Sequence, residues 1–463
     1  MNGRLQSALT DSAPLIAFVL FLTLVGAYLV AQTTAGISLG VVLVLIVLFV
    51  GFLNPELALH IILLSMLLSP EIVVGGVGGI SLGKPEVKGN ALVLRLEDLV
   101  LCSVGVAWIA RTAIFKELGL IRQSPLNPAI LCYCLSLIIA TLLGVLVGGV
   151  GPLAGLFFTL KYIEYFVVYF VTVNYVQDAA QVRRLLTTAF VTCAIAAVMG
   201  IAQIPSGERV SAPFEGKFGE PNTFGGYLVF MLALILGQVL TAPTMPALVG
   251  WSGFAGLVTL PFLYTLSRSS WIAAIPMLLT LVLLSRRRLL LMSVLGVVVI
   301  LGPLAFPKQV MDRYNYTFHE KVDRGEYTLA GKRLDLSTSA RFDSWKQALT
   351  GWTKSPFLGY GVTGFAFMDA QFMRVLVETG LVGLAAFLWL LWRLLRVAWD
   401  THRRLARTRL EGITLGYLAG SVAIFTHAAG ANTFIIVRIM EPFWFFTGLI
   451  TLLPLIFGSE KPA

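Results

Sequence analysis

Apolar runs long enough to cross a lipid bilayer recur from one end of this chain to the other, and they restrict its fold more than any other feature. A hydrocarbon core about 30 Å thick takes about 20 apolar residues per helical crossing. Runs of that kind lie near 14–31, 36–53, 56–73, 95–114, 127–148, 153–175, 184–204, 222–241, 247–266, 269–285, 289–306, 372–396, 412–430 and 434–457 of the 463 residues. Backbone polar groups find no water in hydrocarbon, so each run must bond to itself as a helix. The expected fold is an all-α, polytopic integral membrane protein with about fourteen (12–14) transmembrane helices. The third, sixth and tenth runs are the least pronounced. Composition agrees, with 13% of residues charged where a soluble domain carries about 25%. The four cysteines all sit inside apolar stretches and are too few for a disulfide scaffold. No cleavable leader is read, because the first run follows a short polar start and lacks a small-residue cleavage site.

Basic residues give the orientation independently. With the N-terminus in the cytoplasm and the spans alternating, the inner loops hold Arg111, Lys116, Arg122, Arg183, Arg184, Arg286, Arg287, Arg288, Arg393, Arg396, Arg403, Arg404, Arg407 and Arg409. The opposite short loops, 32–35, 149–152 and 431–433, hold no Lys or Arg. This is the cytoplasmic bias of short loops, and both termini are expected inside. The net charge of +10 follows from that bias and is not read as a nucleic-acid footprint. Segments 74–94, 205–221 and the insertion 307–371 then lie outside. No internal repeat interrupts residues 1–463, which read as one membrane domain with a large external loop containing short helices.

Charges within spans are costly, about 2.5–3.5 kcal/mol each on insertion scales, so each needs a reason. Lys161 and Glu164 stand three apart on the sixth span, and Arg438 and Glu441 three apart on the last. At that spacing each pair shares a helix face and can neutralise itself; the alternative is a polar cavity wall. A second group faces outward. Arg209 and Lys217 precede the eighth span, Arg268 lies in the tight turn of TLSRSSW, Arg341 belongs to the external loop, and Arg374 opens span twelve. Singly, each reads as a snorkelling or surface cation. Together they make an anion site, and guanidinium suits bidentate recognition of phosphate.

Within the loop, 339–355 predicts a helix with Ser339 as its cap, an apolar stripe of Phe342, Trp345, Leu349 and Trp352, and Pro356 at its end. Such a helix either lies in the membrane interface or packs the loop. Gly359, Gly361 and Gly364 read as loop glycines leading back toward the bilayer. Asp369 and Gln371 stand at the mouth of span twelve, with Glu378 about two turns deeper. Asp369 is either a solvated cap or a carboxylate that takes a proton from an attacking hydroxyl. His60, His402 and His427 form no metal set, and His319 alone lies near the proposed site. Neither a metal nor another cofactor is expected.

The order GEPNTFGGYL, LSRSSWIA, SARFDSWKQAL…SPFLGYGVTGF and DAQFMRVLVETGLVG resembles the bacterial O-antigen ligase/O-antigen polymerase family of inner-membrane glycosyltransferases. The likeness runs over 205–385, about 40% of the chain. It implies a glycan donor on undecaprenyl pyrophosphate, used on the periplasmic side without nucleotide sugar or metal. The family's pyrophosphate-binding arginines map onto Arg268 and Arg209; from its place at the external mouth of span twelve, beside the arginines, Asp369 is expected to be the catalytic carboxylate. Lys217, Glu220, Asn222, Arg341, Gln371 and Arg374 are then the candidates for holding substrate. Ligases of the family carry a His eleven residues before the Gly of the ETG motif; counting back from Gly380 lands on Asp369. An acidic residue there resembles the polymerase-type members. The expectation is a polymerase of lipid-linked oligosaccharide repeats for a surface or secreted polysaccharide, working beside the lipid bilayer and a chain-length regulator protein. The alternatives are a ligase that moves finished polymer to a lipid A core and a flippase that performs no chemistry.

Overall fold

The structure is a computed structural model that describes residues 35–68, 96–114, 122–214, 219–289, 291–293, 296, 309–312, 324–329, 332–366 and 368–457. Its helices are α1 (Ala35–Leu53), α2 (Pro55–Leu68), α3 (Leu96–Ile114), α4 (Asn127–Leu146), α5 (Pro152–Ile163), α6 (Phe166–Tyr175) and α7 (Ala179–Gln203). They continue as α8 (Pro221–Thr241), α9 (Met245–Tyr264), α10 (Arg268–Leu284), α11 (Leu336–Trp352), α12 (Gln371–Arg404), α13 (Glu411–Gly430) and α14 (Val437–Phe457). The protein is an all-α, multi-pass membrane protein, varied among the described residues by a single two-stranded hairpin.

Among the described residues, eight helical stretches are long and apolar enough to cross a membrane: 127–146, 152–175, 179–206, 221–241, 245–264, 371–404, 411–430 and 437–457. Val42–Leu53 within α1, together with α2 and α10, are shorter apolar stretches, and α3 carries Glu97, Asp98 and Arg111. The first expected span, 14–31, lies outside the described residues, as does most of 289–306. The sixth expected span is not one helix. It breaks at Glu164–Tyr165, where Val167 N–H turns to the Glu164 carbonyl at 3.1 Å.

Local chemistry sets the helix ends. Asp178 and Gln181 form a reciprocal cap on α7, the Ser267 side chain accepts from Ser270 N–H to start α10, and prolines occupy the first turns of α5 and α8. The tightest packing joins α8 to α13. Gly412, Gly416 and Gly420, four residues apart on α13, face Gly237, Leu234 and Phe230 of α8 so closely that an added methyl would collide. Small residues at that spacing let backbones approach where no hydrophobic drive exists between helices. The centre is aromatic, with Trp444 on α14 packed against Tyr165, Phe166 and Tyr169.

Arginines gather at one end of the bundle and bond to the closing carbonyls of neighbouring helices. Arg111 donates to Phe52 O at 2.6 Å, Arg287 to Ala242 O at 3.0 Å, and Arg122 to Val173 O at 3.5 Å. Arg393 donates two bonds to Pro125 O, at 2.7 and 3.0 Å. The bonds from Arg111, Arg287 and Arg122 satisfy carbonyls that a helix C-terminus leaves open, at the negative end of its dipole, whereas Pro125 lies in the loop that leads into α4.

Two details of the loop differ from expectation. A hairpin, β1 (Arg324–Leu329) with β2 (Lys332–Asp335), runs straight into α11, which therefore begins three residues before Ser339. The helix stops at Trp352 rather than at 355, because Trp352 Nε1 donates to Pro356 O and Ser355 Oγ to Gly359 O, folding the chain back. The predicted apolar stripe is also divided. Ala348 is buried with Met368 and Val377, Trp345 and Trp352 are half-buried, and Phe342 and Leu349 stay exposed.

Candidate functional site

At the end of the bundle opposite those arginines, a series of hydrogen bonds joins four loops. Arg209 donates through Nε to Thr265 O at 3.0 Å and through Nη2 to Leu266 O at 3.2 Å. Ser267 Oγ, in the same turn, donates to Asn222 Oδ1 at 2.8 Å. Ser269 Oγ reaches Gly430 O at 3.3 Å, and from there the chain enters the turn 431–436. That turn is held on both sides: His427 Nδ1 bonds Thr433 Oγ1 at 2.8 Å, and Gln371 Oε1 accepts from Phe434 N–H at 3.1 Å. The Asn432 amide donates to Met368 O. One residue on, the Asp369 carboxylate meets Arg341 Nη2 at 3.5 Å.

The expected residues thus sort into three groups. Arg209, Arg268, Glu220 and Asn222 lie together around the α8 and α10 starts. Arg209 spends two donors on the turn just before Arg268, so it shapes the loop that presents the second guanidinium. Glu220 is exposed and stands at the N-cap position of α8, its Oε2 accepting from the Thr223 hydroxyl at 3.2 Å. Arg341 and Asp369 form the second group, with side chains 26% and 44% exposed; an ion pair this accessible can open toward a ligand. Gln371 and Arg374 form the third and are buried. Gln371 braces the 431–436 turn. Arg374 Nε bonds Glu378 Oε1 at 3.1 Å, and its guanidinium lies 5.8 Å from the Tyr162 ring centre. Lys217 and His319 lie outside the described residues.

Beneath Asp369, α12 is interrupted. Gly380 adopts φ 64° and ψ −165°, which breaks the helix between Thr379 and Leu381. The groups so released are bonded by the incoming loop. Tyr360 N–H donates to Val377 O (2.9 Å), Gly361 N–H to Glu378 O (2.8 Å), Leu381 N–H to Pro356 O (2.9 Å) and Val382 N–H to Phe357 O (3.2 Å). A broken helix is tolerated at membrane depth only when protein replaces its lost bonds in this way. The side chain of Glu378 adds to the seam, accepting from Thr363 N–H at 3.2 Å and Tyr162 Oη at 3.2 Å. Asp369 and Arg341 therefore sit on a braced floor rather than on a free loop.

Two features escaped the sequence reading. His427, set aside as a lone residue, is fully buried at this end of α13 and holds Thr433. Its only sequence signal was its place one helix turn before a loop without basic residues. The Arg438–Glu441 pair is corrected: Arg438 bonds Glu97 Oε1 at 3.0 Å, across to α3. Lys161 likewise pairs more closely with Asp98 (2.5 Å) than with Glu164 (3.7 Å). Spacing on one helix names a possible partner, whereas packing between helices offered closer ones. No group of three or more His, Cys, Asp or Glu able to hold a metal ion occurs among the described residues.

Residues 253–388 match the family described as O-antigen ligase, and no curated protein matches the chain. The matched stretch contains Arg268, Arg341, Asp369, Gln371, Arg374, Glu378 and Gly380, and leaves Arg209, Glu220, Asn222 and His427 outside it.

Proposed function

We propose that this membrane protein, carrying the O-antigen ligase family match over 253–388, is a glycosyltransferase that polymerises oligosaccharide repeats carried on undecaprenyl pyrophosphate. The observation that carries the reading is the joined rim, in which Arg209 holds the turn of Arg268 while Asn432 holds the segment of the Asp369–Arg341 pair. Cations and one accessible carboxylate on a common rim suit a displacement at an anomeric carbon. The acceptor hydroxyl oxygen attacks that carbon and its proton passes to the Asp369 carboxylate. The bond from carbon to phosphate oxygen breaks, and the pyrophosphate leaves with the electron pair. Arg268, Arg341 and the Arg209-held turn stabilise the charge gathering on those oxygens. One displacement inverts the configuration of the sugar.

The arginine-rich end is assigned to the cytoplasm by the positive-inside bias. The rim is then periplasmic, in an inner membrane where the lipid-linked glycan is presented, with a chain-length regulator as a natural partner. The region 205–385 is taken as the catalytic part of one membrane domain, and 307–371 as its external loop.

Two other readings have observations in their favour. The matched family's description favours a ligase. The helix break at Gly380 and the buried charges on α3 and α14 are features of transporters, and so favour a flippase. Deleting the gene and analysing carrier-linked glycans separates the enzymes. Single repeats on the carrier indicate a polymerase, and long unattached polymer indicates a ligase. Purified protein that relocates a lipid-linked sugar in liposomes but never lengthens it would overturn both enzyme readings.

A further inference from the structure

Well inside the bundle, below the 431–436 turn, three helices bring ionisable groups together. Helix α3 supplies Glu97 and Asp98, α5 and the break after it supply Lys161 and Glu164, and α14 supplies Arg438 and Glu441. Both cations are engaged. Arg438, fully buried, bonds Glu97 at 3.0 Å, and Lys161 bonds Asp98 at 2.5 Å with Glu164 at 3.7 Å. Glu441 is different. It is 1% exposed, and among the described residues neither of its carboxylate oxygens has a hydrogen-bond partner. The charges acting on it are those of Glu97, Glu164 and Asp98, with Lys161 the opposing cation. Pro442 follows it directly and has no N–H to offer.

An anion with no hydrogen bond, facing three carboxylates inside a membrane protein, is the arrangement least tolerated in a low-dielectric medium. Neutralisation by a metal ion would need several ligands converging on one point, and no such group occurs among the described residues. We infer that the Glu441 carboxyl is a proton-binding site within the membrane domain, its ligand a single exchangeable proton that makes Glu441 a neutral acid at the foot of the charged cluster. The inference is independent of the proposed glycosyl transfer.

Exchange is assigned to Lys161 and Glu164, the partly exposed members of the cluster, at 13% and 19%. The readout also has a structural handle, since Arg438 stands two residues after the turn that Gln371 and His427 brace. Gain or loss of the proton changes the field on Arg438 and so the seating of that turn.

The test uses the full chain in lipid nanodiscs. Infrared spectra at neutral pH should contain the carbonyl stretch of a protonated carboxylic acid, shifted in heavy water. Glu441→Gln should remove that band while leaving the thermal midpoint of wild type. Glu97→Gln, which removes the carboxylate charge paired with the buried Arg438, should lower the midpoint and keep the band. A wild-type spectrum without the band overturns the inference before any variant is made. So does a band that survives Glu441→Gln, or a Glu441→Gln protein that melts as early as Glu97→Gln.

Discussion

Replacing Gly380 by Ala tests whether the break in α12 is a built feature. The backbone there has φ 64° and ψ −165°, a region that only glycine occupies freely; holding another residue in it costs about 1–3 kcal/mol. A methyl group at the site would also run into the Phe357 carbonyl and the Leu358 nitrogen, which are backbone atoms with no rotamer to escape into. Forcing that contact costs about 1–3 kcal/mol more. Taken together, Gly380→Ala should destabilise the protein by about 4 kcal/mol, close to a thousandfold in the ratio of folded to unfolded. The right control is Gly253→Ala on α9, where an added methyl meets nothing within 4 Å. In a helix interior that change should stabilise by up to about 1 kcal/mol. Equilibrium unfolding of both purified variants in mixed micelles gives the comparison directly. If Gly380→Ala unfolds alongside wild type, the loop 356–361 does not depend on the glycine, and the account of the braced floor fails.

Asp369→Asn should leave folding unchanged and reduce glycan elongation by about 10²–10⁴-fold, read from carrier-linked products in membranes. Arg268→Ala should cost about 10²–10³-fold in the same assay, the loss expected for one charge-stabilising donor. Arg209→Lys should resemble Arg209→Ala, because a single ammonium cannot span the Thr265 and Leu266 carbonyls; near-wild-type elongation by Arg209→Lys would argue against a forked clamp. Glu378→Ala removes the carboxylate that pairs with the buried Arg374 and should destabilise by about 3–5 kcal/mol in equilibrium unfolding. Chelators should not change elongation by membranes, and a loss restored by added divalent cation would refute the metal-free displacement.

Hydropathy made the fold class legible because a bilayer imposes one length and one secondary structure on every crossing. It did not disclose the interruptions. The break at Glu164–Tyr165 lies inside an apolar run without a proline, and Gly380 is one of many glycines in the sequence. What makes Gly380 a break is the loop 356–361 arriving to bond it, a long-range fact. The rim was partly legible: arginines and Asp369 could be assigned to one face from topology alone. Their distinct duties could not. Arg209 gives donors to a turn and Gln371 is fully buried beneath the surface, and each outcome depends on which neighbour reaches the side chain first. The same holds for Arg438, whose partner Glu97 is 341 residues away.

The arginine-capped end of the bundle has a practical consequence. On the orientation proposed above, the side chains that set the threading of the helices also close the helices of the finished protein, as Arg111, Arg122 and Arg287 do. Topology mapping by charge removal will therefore loosen packing at the same time as it weakens the threading signal. An Arg→Lys exchange separates the two, since lysine keeps the sign but loses the fork.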